Sequence, residues 1–408
     1  MTQTKYLIIG GGIAGTNAAH TLRQKDPEAS ITLVTDEKER LYSRVLLPQY
    51  LRDTVSYEGL FLKKPDFYTQ EKINFLTQTK VTDLDDKAQI ATTSKGVIHY
   101  EKLLLACGIR LIPWEVPGYE KKGVVYLRTI EDSVDIRKLM DIAKEAVVVG
   151  GGFIALELLS SFIKKGLKTT LIVRENSFFV RFLEGDGGHL VEDIIREQGA
   201  NIILEDEVSQ VTGESSVEGV VTKRGQQISA QIVGVGIGVA PKLGFLDNTQ
   251  VVRSPFIETN KYLETTSPNV WAAGDVTFFE DIMTSRHHNI GNWANAADQG
   301  KIAGLNMSGD KTEFVSTSSY SIPFFTSSIA VLGDPNKNYA TEVIIRGSRD
   351  QKALGEIYFK DDFILGATLV GLPIDRGPLQ NLIKNQVRIK DKDKLKSLDF
   401  SIGGLLSG

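Results

Sequence analysis

The sequence predicts an α/β protein made of two Rossmann-like domains and a smaller α+β domain at the C-terminal end. Three observations favour this fold class. A strand, glycine turn, helix and strand open the chain, the same pattern returns about 140 residues later, and alternating apolar residues are frequent after residue 316. The chain of 408 residues is longer than one hydrophobic core usually organises, so several domains are expected.

The first pattern runs from an apolar strand at residues 5–9 through a glycine turn to a helix from residue 16 and a strand at residues 30–35. Its turn has the spacing Gly10-x-Gly12-x-x-Gly15. Glycines at these positions allow a tight turn, close approach of a pyrophosphate and close packing of the helix against the strand. The pyrophosphate is then expected on the unpaired N–H groups at the start of the helix.

A carboxylate completes the first pattern. Asp36 follows the second strand, near the offset of about 20 residues at which an acid binds a ribose hydroxyl. The strand, the helix and the acid together favour a dinucleotide site over a purely structural glycine turn. The residues predicted to bind this dinucleotide are Gly10, Gly12, Ile13, Ala14, Gly15 and Asp36.

The second pattern begins near residue 145 and has the spacing Gly150-x-Gly152-x-x-Ala155, in which alanine is an accepted third residue. A strand at residues 146–149 precedes it, and a helix at residues 156–165 follows it. This internal duplication predicts two dinucleotide sites in one chain. The residues predicted to form the second turn are Gly150, Gly152, Phe153 and Ile154.

The strand after the second turn ends with Arg174 and Glu175. A carboxylate at this place binds a free ribose 2′-hydroxyl, whereas an arginine suits a 2′-phosphate. Because Arg174 occupies the strand end and Glu175 lies one residue further on, the pattern slightly favours NADPH and leaves NADH open. The alternative for Arg174 is a side chain that simply points into solvent.

Composition narrows the chemistry further. The net charge of −4 and the scattered charges disfavour nucleic-acid binding, and the apolar runs are far shorter than the roughly 20 residues that cross a bilayer. No signal segment opens the chain, so we expect a cytoplasmic protein. With Cys107 as its one cysteine and no metal-ligand spacing among five histidines, neither a disulfide nor a metal site is expected. Redox chemistry would therefore depend on a bound organic cofactor.

Further landmarks follow the two glycine turns in a fixed order. They are residues 104–108 (Leu-Leu-Ala-Cys-Gly), 125–129 (Val-Tyr-Leu-Arg-Thr), 272–275 (Ala-Ala-Gly-Asp) and the helical segment that starts at residue 293. Through them nearly the whole chain resembles the FAD-dependent pyridine nucleotide oxidoreductases, most of all rubredoxin reductases and the N-terminal flavin portion of NAD(P)H nitrite reductases. This resemblance implies a glutathione-reductase-like fold with FAD at the first turn and NAD(P)H at the second.

The resemblance also implies domain boundaries and further FAD-binding residues. The FAD-binding domain would comprise residues 1–115 and 240–315, the NAD(P)-binding domain residues 116–239, and the C-terminal domain residues 316–408. Asp275 would bind the ribityl chain of FAD. The residues that would line the same cofactor are Ala106, Gly108 and Gly274.

Two residues become candidates for catalysis through the resemblance. Arg44 lies in a Tyr-x-Arg segment that would run close to the flavin. Glu157 matches a glutamate near the nicotinamide that many relatives pair with a lysine. Because Gln49 stands at that lysine position here, no such ion pair is expected.

The expected activity is electron transfer from NAD(P)H through FAD to a protein redox partner. The partner would be a rubredoxin, a ferredoxin or an iron–sulfur subunit of a larger complex, because the chain has no metal site of its own. Two alternatives stay open: an NAD(P)H oxidase or quinone reductase, and a flavin- and NAD-binding regulatory module that controls an interaction. The chain could act as a subunit of a complex or as a homodimer.

Overall fold

Two parallel sheets, each with the strand order of a Rossmann domain, organise this protein. The computed structural model describes residues 2–183, 185–281, 286–315 and 317–406. The chain falls into two units, one made of Met1–Ser43, Tyr57–Arg110 and Val239–Ser316, and the other of Arg44–Ser56, Leu111–Gly238 and Thr317–Gly408. The predicted division into three domains stays a prediction.

The helices and strands are given in chain order. Through residue 111 they are β1 (Thr2–Ile9), α1 (Ile13–Lys25), β2 (Ile31–Val34), α2 (Leu47–Leu51), α3 (Phe67–Gln70), β3 (Ile73–Leu76), β4 (Val81–Asp85), β5 (Ile90–Thr93), β6 (Gly96–Leu105) and β7 (Arg110–Leu111). The next are β8 (Val124–Val125), α4 (Ile130–Met140), β9 (Glu145–Val149), α5 (Phe153–Lys164), β10 (Lys168–Ile172), α6 (Asp186–Glu197), β11 (Asn201–Ile203), β12 (Val208–Thr212), β13 (Gly219–Thr222), β14 (Gln227–Ser229) and β15 (Ile232–Val235).

The remaining elements complete both units. They are β16 (Val239–Ala240), β17 (Ile257–Thr259), β18 (Val270–Ala272), β19 (Thr277–Asp281), β20 (Arg286–His288), α7 (Trp293–Ser308), β21 (Ser319–Phe324), β22 (Ser327–Gly333), β23 (Glu342–Ser348), β24 (Ala353–Lys360), β25 (Phe363–Val370) and α8 (Pro373–Lys384). Short 3₁₀ turns lie at Arg44–Leu46, Glu58–Leu60, Gly244–Leu246, Asp393–Lys396 and Ile402–Leu406. No helix within the described ranges combines the length and the apolarity needed to cross a bilayer.

The first unit contains the sheet β3-β2-β1-β6, to which β18 adds beside β6, and all of these pairings are parallel. The strands β4 and β5 form an antiparallel meander with the first half of β6. Ile8, Leu33 and Leu104 are fully buried against residues of α1 and α7. Leu7 is fully buried on the other face against residues of β4, β5 and the turn Gly244–Leu246, so the sheet is covered on both sides.

The second unit repeats this arrangement. Its parallel sheet has the order β11-β10-β9-β15-β8, and β12, β13 and β14 form the accompanying antiparallel meander. Residues 317–406 add an antiparallel sheet of order β21-β22-β25-β24-β23 with α8 packed against it. The predicted fold class, two Rossmann-like domains with an α+β C-terminal domain, is therefore confirmed.

A buried arginine fixes the end of the chain to the C-terminal sheet. Arg346 on β23 is 3% exposed, and its guanidinium donates to the carboxylate of Asp375 on α8 at 2.7 Å. The same group donates to the carbonyl oxygens of Leu395 and Phe400 at 3.0 Å. Because a buried guanidinium needs all of its donors satisfied, these carbonyls hold the final residues in place.

The helices α1 and α7 of the first unit are in close backbone contact at one glycine. A Cβ atom on Gly300 of α7 would lie 2.1 Å from the carbonyl oxygen of Ala14 in the first turn of α1. No side chain fits in such a gap, so only glycine lets α7 support the start of α1.

We expect Gly300→Ala to destabilise the protein and to weaken cofactor binding. Alanine normally stabilises a helix by about 1 kcal/mol relative to glycine, but here the new methyl group should cost about 1–3 kcal/mol through overpacking. Urea denaturation measures the change. Ala294→Ser, at an exposed position of the same helix, is the matched control. A stabilised Gly300→Ala variant would show that the two backbones are not in contact.

Candidate active site

The carboxyl ends of the parallel strands in the first unit lie side by side. Ile9 at the end of β1 pairs with Val34 of β2 and with Leu105 of β6, and Leu105 pairs in turn with Ala272 of β18. Loops that start at the ends of adjacent parallel strands form the ligand-binding crevice of such sheets. The predicted FAD-binding residues that follow these strand ends and are brought together are Gly10, Gly12, Asp36, Ala106, Gly108, Gly274 and Asp275.

The first glycine turn is shaped by two backbone contacts. Gly10 has φ +121°, and a Cβ atom on it would lie 2.1 Å from the carbonyl oxygen of Ala106. A Cβ atom on Gly15 would lie 1.9 Å from the carbonyl oxygen of Gly10. Both contacts exclude any side chain, so these two glycines make the turn tight enough for α1 to begin at Ile13.

The start of α1 suits an anion. Gly12 caps the helix without a side-chain hydrogen bond, and the first helical turn has no acidic residue. A Cβ atom on Gly12 would meet no atom of the described residues within 4 Å, so the space beside this helix cap is open. The unpaired N–H groups at the start of α1 and the helix dipole favour a pyrophosphate, the group that joins the two halves of an FAD molecule.

The loop after β18 carries the second part of this site. Gly274 has φ +87°, and its N–H donates to the side-chain oxygen of Gln299 at 2.7 Å. Asp275 is half-buried, and the amide of Asn289 donates to its carbonyl oxygen at 2.9 Å. Among the described residues, Gln299 Nε2 and Asn295 Oδ1 are buried without a hydrogen-bond partner. Unsatisfied buried amides are rare in proteins, so they agree with a polar ligand in this region.

Asp36 and Cys107 lie at the edge of the same crevice. The carboxylate of Asp36 forms an ion pair with Arg110 at 2.7 Å, and both side chains are about two-fifths exposed. Burial raises the pKa of the Cys107 thiol to about 11. At neutral pH this thiol is therefore protonated and a poor nucleophile, which agrees with a small packing residue.

The second glycine turn repeats the first with one exchange. Gly150 has φ +124°, and its Cβ atom would lie 2.3 Å from the carbonyl oxygen of Gly236, which follows β15. A Cβ atom on Gly236 would lie 2.6 Å from the nitrogen of Ala155. The turn accepts alanine at its third position because the residue opposite is glycine. As at Gly12, a Cβ atom on Gly152 would have no described neighbour within 4 Å.

An aromatic cluster surrounds the first residue of α5. The ring of Phe153 contacts Phe179, Phe182 and Tyr320 with centroid distances of 4.7, 5.4 and 5.1 Å. The N–H of Phe179 donates to the carbonyl oxygen of Gly151 at 3.1 Å, which fixes the cluster to the turn. Phe153 and Ile154 are half-buried, so both have surface left to contact a ligand.

Glu157 has an ion-pair partner that the sequence did not indicate. Its carboxylate lies 2.8 Å from the guanidinium of Arg52, and the two side chains are only 12% and 11% exposed. Burial raises the pKa of Glu157, while the charge of Arg52 opposes that shift. The expectation of no ion pair, which rested on Gln49, was therefore wrong, because Arg52, three residues further along the chain, pairs with Glu157.

The segment that carries Arg52 is fixed to the second unit at both ends. Arg44 donates to the carbonyl oxygen of Arg128 at 2.7 Å. Asp53 pairs with Arg137, and Lys165 lies 3.7 Å from the same carboxylate. Arg44, predicted beside the flavin, thus belongs to the unit that carries the second glycine turn.

At the end of β10, Arg174 and Glu175 form an ion pair with each other at 2.8 Å. A Cβ atom on Gly151 would lie 3.8 Å from the second carboxylate oxygen of Glu175. The glutamate therefore lies at the glycine turn, whereas the side chain of Arg174 is 70% exposed.

The comparison with known proteins identifies the family. The model of the pyridine nucleotide-disulphide oxidoreductases matches residues 4–300. This chain belongs to that family. Its members are oxidoreductases that use FAD and NAD(P)H, so the family, the enzyme class and the two cofactors predicted from the sequence are confirmed.

Several relatives can be aligned with most of this chain. A rubredoxin-NAD(+) reductase of Pseudomonas putida is 25% identical over 93% of this chain and 98% of its own. An NADH oxidase of Methanocaldococcus jannaschii is 29% identical over 81% and 74%. A nitrite reductase [NAD(P)H] of Bacillus subtilis is 25% identical over 98% of this chain, which spans 49% of that protein's length. The structure of a covalent putidaredoxin reductase–putidaredoxin complex matches with a TM-score of 0.93 and 25% identity, covering 100% of this chain and 99% of that one.

We predict that Arg52→Met destabilises the protein in a pH-dependent way. Without its cation, the buried Glu157 carboxylate should cost about 3–5 kcal/mol at pH 8. The pKa of Glu157 then lies still further above its ordinary value of 4.5, so the folded state retains the proton more tightly than the unfolded state. The destabilisation therefore grows as pH rises through the folded pKa and shrinks toward pH 5.

Urea denaturation at pH 5 and pH 8 measures this difference. Arg52→Lys, which keeps the charge, and the double variant Arg52→Met/Glu157→Leu, which removes both charges, are the controls. Equal losses for Arg52→Met at the two pH values would contradict the ion pair.

Proposed function

We propose that this protein transfers electrons from NAD(P)H at the second glycine turn to FAD at the first, and then to a separate protein carrier. The observation that carries the proposal is the duplicated turn, in which both helix starts have glycine caps, open space and no acidic residue in the first helical turn. FAD, when bound, supplies a ring that accepts a hydride and releases electrons singly.

The residues of the first unit would bind FAD. The N–H groups at the start of α1 would donate to its pyrophosphate, and the carboxylates of Asp36 and Asp275 would accept hydrogen bonds from hydroxyl groups. Ala106, Gly108 and Gly274 would shape the crevice through their backbones. Ile13 and Ala14 would line the first helical turn.

The residues of the second unit would bind NAD(P)H. The N–H groups after Gly150 and Gly152 would hold the second pyrophosphate, and Phe153 and Ile154 would exclude water from one side of the coenzyme. Glu157, held by Arg52, would provide a fixed negative charge near the nicotinamide. Arg44 would act by holding the segment 44–56 through its hydrogen bond to the carbonyl oxygen of Arg128, two residues before α4.

A separate protein carrier is proposed because the chain contains a single cysteine. A disulfide relay needs two thiols, so electrons cannot leave through one within this chain. One relative is a rubredoxin reductase, and one similar structure shows a putidaredoxin reductase bound to putidaredoxin. Both favour a carrier of the rubredoxin or ferredoxin type, or an iron–sulfur subunit. The NADH oxidase among the relatives favours a second candidate, direct transfer of electrons to oxygen.

We also propose a cytoplasmic location, which cell fractionation would test.

Two matched substitutions test the assignment of the turns. Gly12→Asp and Gly152→Asp each place a carboxylate at a helix cap where the new Cβ atom would meet no described atom within 4 Å, and aspartate is a good N-cap residue. Both variants should remain folded. Like charges a few ångströms apart at a protein surface repel by about 4 kcal/mol, which is roughly a thousandfold in affinity.

We therefore expect the Gly12→Asp protein to lose FAD and the Gly152→Asp protein to keep FAD but resist reduction by NAD(P)H. Visible absorption measures both effects, and urea denaturation checks the fold. If Gly12→Asp retains flavin, or if Gly152→Asp is reduced as fast as the original protein, the corresponding turn does not hold its dinucleotide.

The acceptor is tested by turnover of the flavin-loaded protein. Anaerobic addition of NADH or NADPH should bleach the flavin band, and a rubredoxin or a [2Fe–2S] ferredoxin should reoxidise it faster than dissolved oxygen does. Faster reoxidation by oxygen than by either carrier would favour the oxidase. An unbleached flavin with both coenzymes would refute the hydride step itself.

A further inference from the structure

A buried carboxylate on α6 holds the segment that follows β10. Glu192 is 1% exposed, and one of its oxygens accepts hydrogen bonds from the hydroxyl group of Ser177 at 3.0 Å and from the N–H of Phe178 at 2.9 Å. The other oxygen lies 3.3 Å from the guanidinium of Arg196 and 3.4 Å from Nδ1 of His189. Because a buried carboxylate requires such partners, Glu192 fixes the backbone of the segment at Phe178.

The helix α6 and this segment are in close contact at one glycine. A Cβ atom on Gly188 would lie 2.2 Å from the hydroxyl oxygen of Ser177 and 2.6 Å from the carbonyl oxygen of Phe178. Gly188 precedes Glu192 by four residues, so both lie on the same face of the helix. The missing side chain at Gly188 therefore lets the carboxylate reach both of its donors.

The next residue, Phe179, connects the segment to the second glycine turn. It has φ +62° and is 1% exposed, and a bulky residue keeps this backbone conformation only where its surroundings impose it. Its N–H donates to the carbonyl oxygen of Gly151, the residue between Gly150 and Gly152, at 3.1 Å. The contacts thus run from the carboxylate on α6 through two successive backbone N–H groups to the turn.

The first glycine turn satisfies the equivalent carbonyl group in another way. Gly11 corresponds to Gly151, and its carbonyl oxygen accepts a hydrogen bond from the hydroxyl group of Thr16 at 3.3 Å. In the second pattern, Leu156 stands at the position of Thr16 and has no hydroxyl group. The N–H of Phe179 therefore takes over in the second unit what a side chain of the helix does in the first.

We propose that Glu192 is a positioning residue for coenzyme binding at the second glycine turn. The inference rests on the proposed function, because it assumes that this turn binds the pyrophosphate of NAD(P)H. The N–H groups after Gly150 and Gly152 can donate to one pyrophosphate only while the peptide group of Gly151 keeps its orientation. Glu192 acts on that peptide group through Phe179.

The experiment compares the FAD-loaded original protein with Glu192→Leu. Isothermal titration calorimetry with ADP-ribose and with 2′-phospho-ADP-ribose measures affinity, and stopped-flow absorption at several coenzyme concentrations measures the limiting rate of flavin reduction. Glu192→Leu should bind the preferred ligand about tenfold more weakly, the equivalent of one hydrogen bond to a charged group. The limiting rate should stay within about twofold, because the pyrophosphate is held equally before and during hydride transfer.

Three further variants separate positioning from general stability. Glu192→Gln keeps an acceptor oxygen for both donors and should retain the original affinity. Asp193→Leu removes an ion pair with Arg349 from the same helix, so it should lower the urea midpoint without changing affinity. Glu192→Asp keeps the charge but withdraws the oxygen from Ser177 and Phe178. It should also bind the ligand more weakly, and it replaces Glu192→Leu if that variant does not fold.

Unchanged affinity in Glu192→Leu or Glu192→Asp, or an equal loss in Asp193→Leu, would overturn the positioning role and leave the proposed electron transfer standing. A lower limiting rate at unchanged affinity would overturn it as well. If the original protein binds neither ligand, the turn does not hold a coenzyme and both proposals fail. The expected affinities together with a flavin that neither NADH nor NADPH reduces would refute electron transfer alone.

Discussion

Contact between a glycine turn and the neighbouring strand end is the constraint on which both dinucleotide sites depend. In each unit the carbonyl group after the adjacent strand occupies the volume where a side chain would project, at Ala106 beside Gly10 and at Gly236 beside Gly150. The chain must therefore reverse tightly and start its helix at once. As a result, the unpaired N–H groups of the helix gather at the carboxyl edge of the sheet, where the other loops also end.

The two halves satisfy that constraint with different residues. Gly15 allows the helix to approach the first turn closely, whereas Ala155 is tolerated because its opposite residue, Gly236, has no side chain. The strand ends also differ, since the ion pair of Asp36 reaches 74 positions along the chain to Arg110 and that of Glu175 involves the adjacent Arg174. The same strand-turn-helix backbone thus carries different charged residues in the two units, which allows a single enzyme to bind two different dinucleotides.

Much of this fold could be predicted because its signals are local. Each copy of the pattern, with its glycine spacing and apolar strands, lies within about 30 residues. Its recurrence about 140 residues later was sufficient to predict two Rossmann-like domains. The helices begin at Ile13 and Phe153, three residues before the predicted starts, because glycine caps shift the first turn into the motif itself. Arg52 was missed since its partner, Glu157, is 105 positions away by number, and no periodic pattern links the two. The charged pair of residues 52 and 53 directly after the apolar helix α2 was the available signal.

The segment 44–56 has a consequence for how this chain can be divided. The polypeptide passes from one unit to the other between residues 43 and 44, 56 and 57, 110 and 111, 238 and 239, and 316 and 317. A fragment that ends at the predicted boundary, residue 115, would separate α2 from α4 and α5, with which it is in contact. It would also separate Arg52 from Glu157. Because each unit is made of three separate segments, no single cleavage of the chain releases either unit intact.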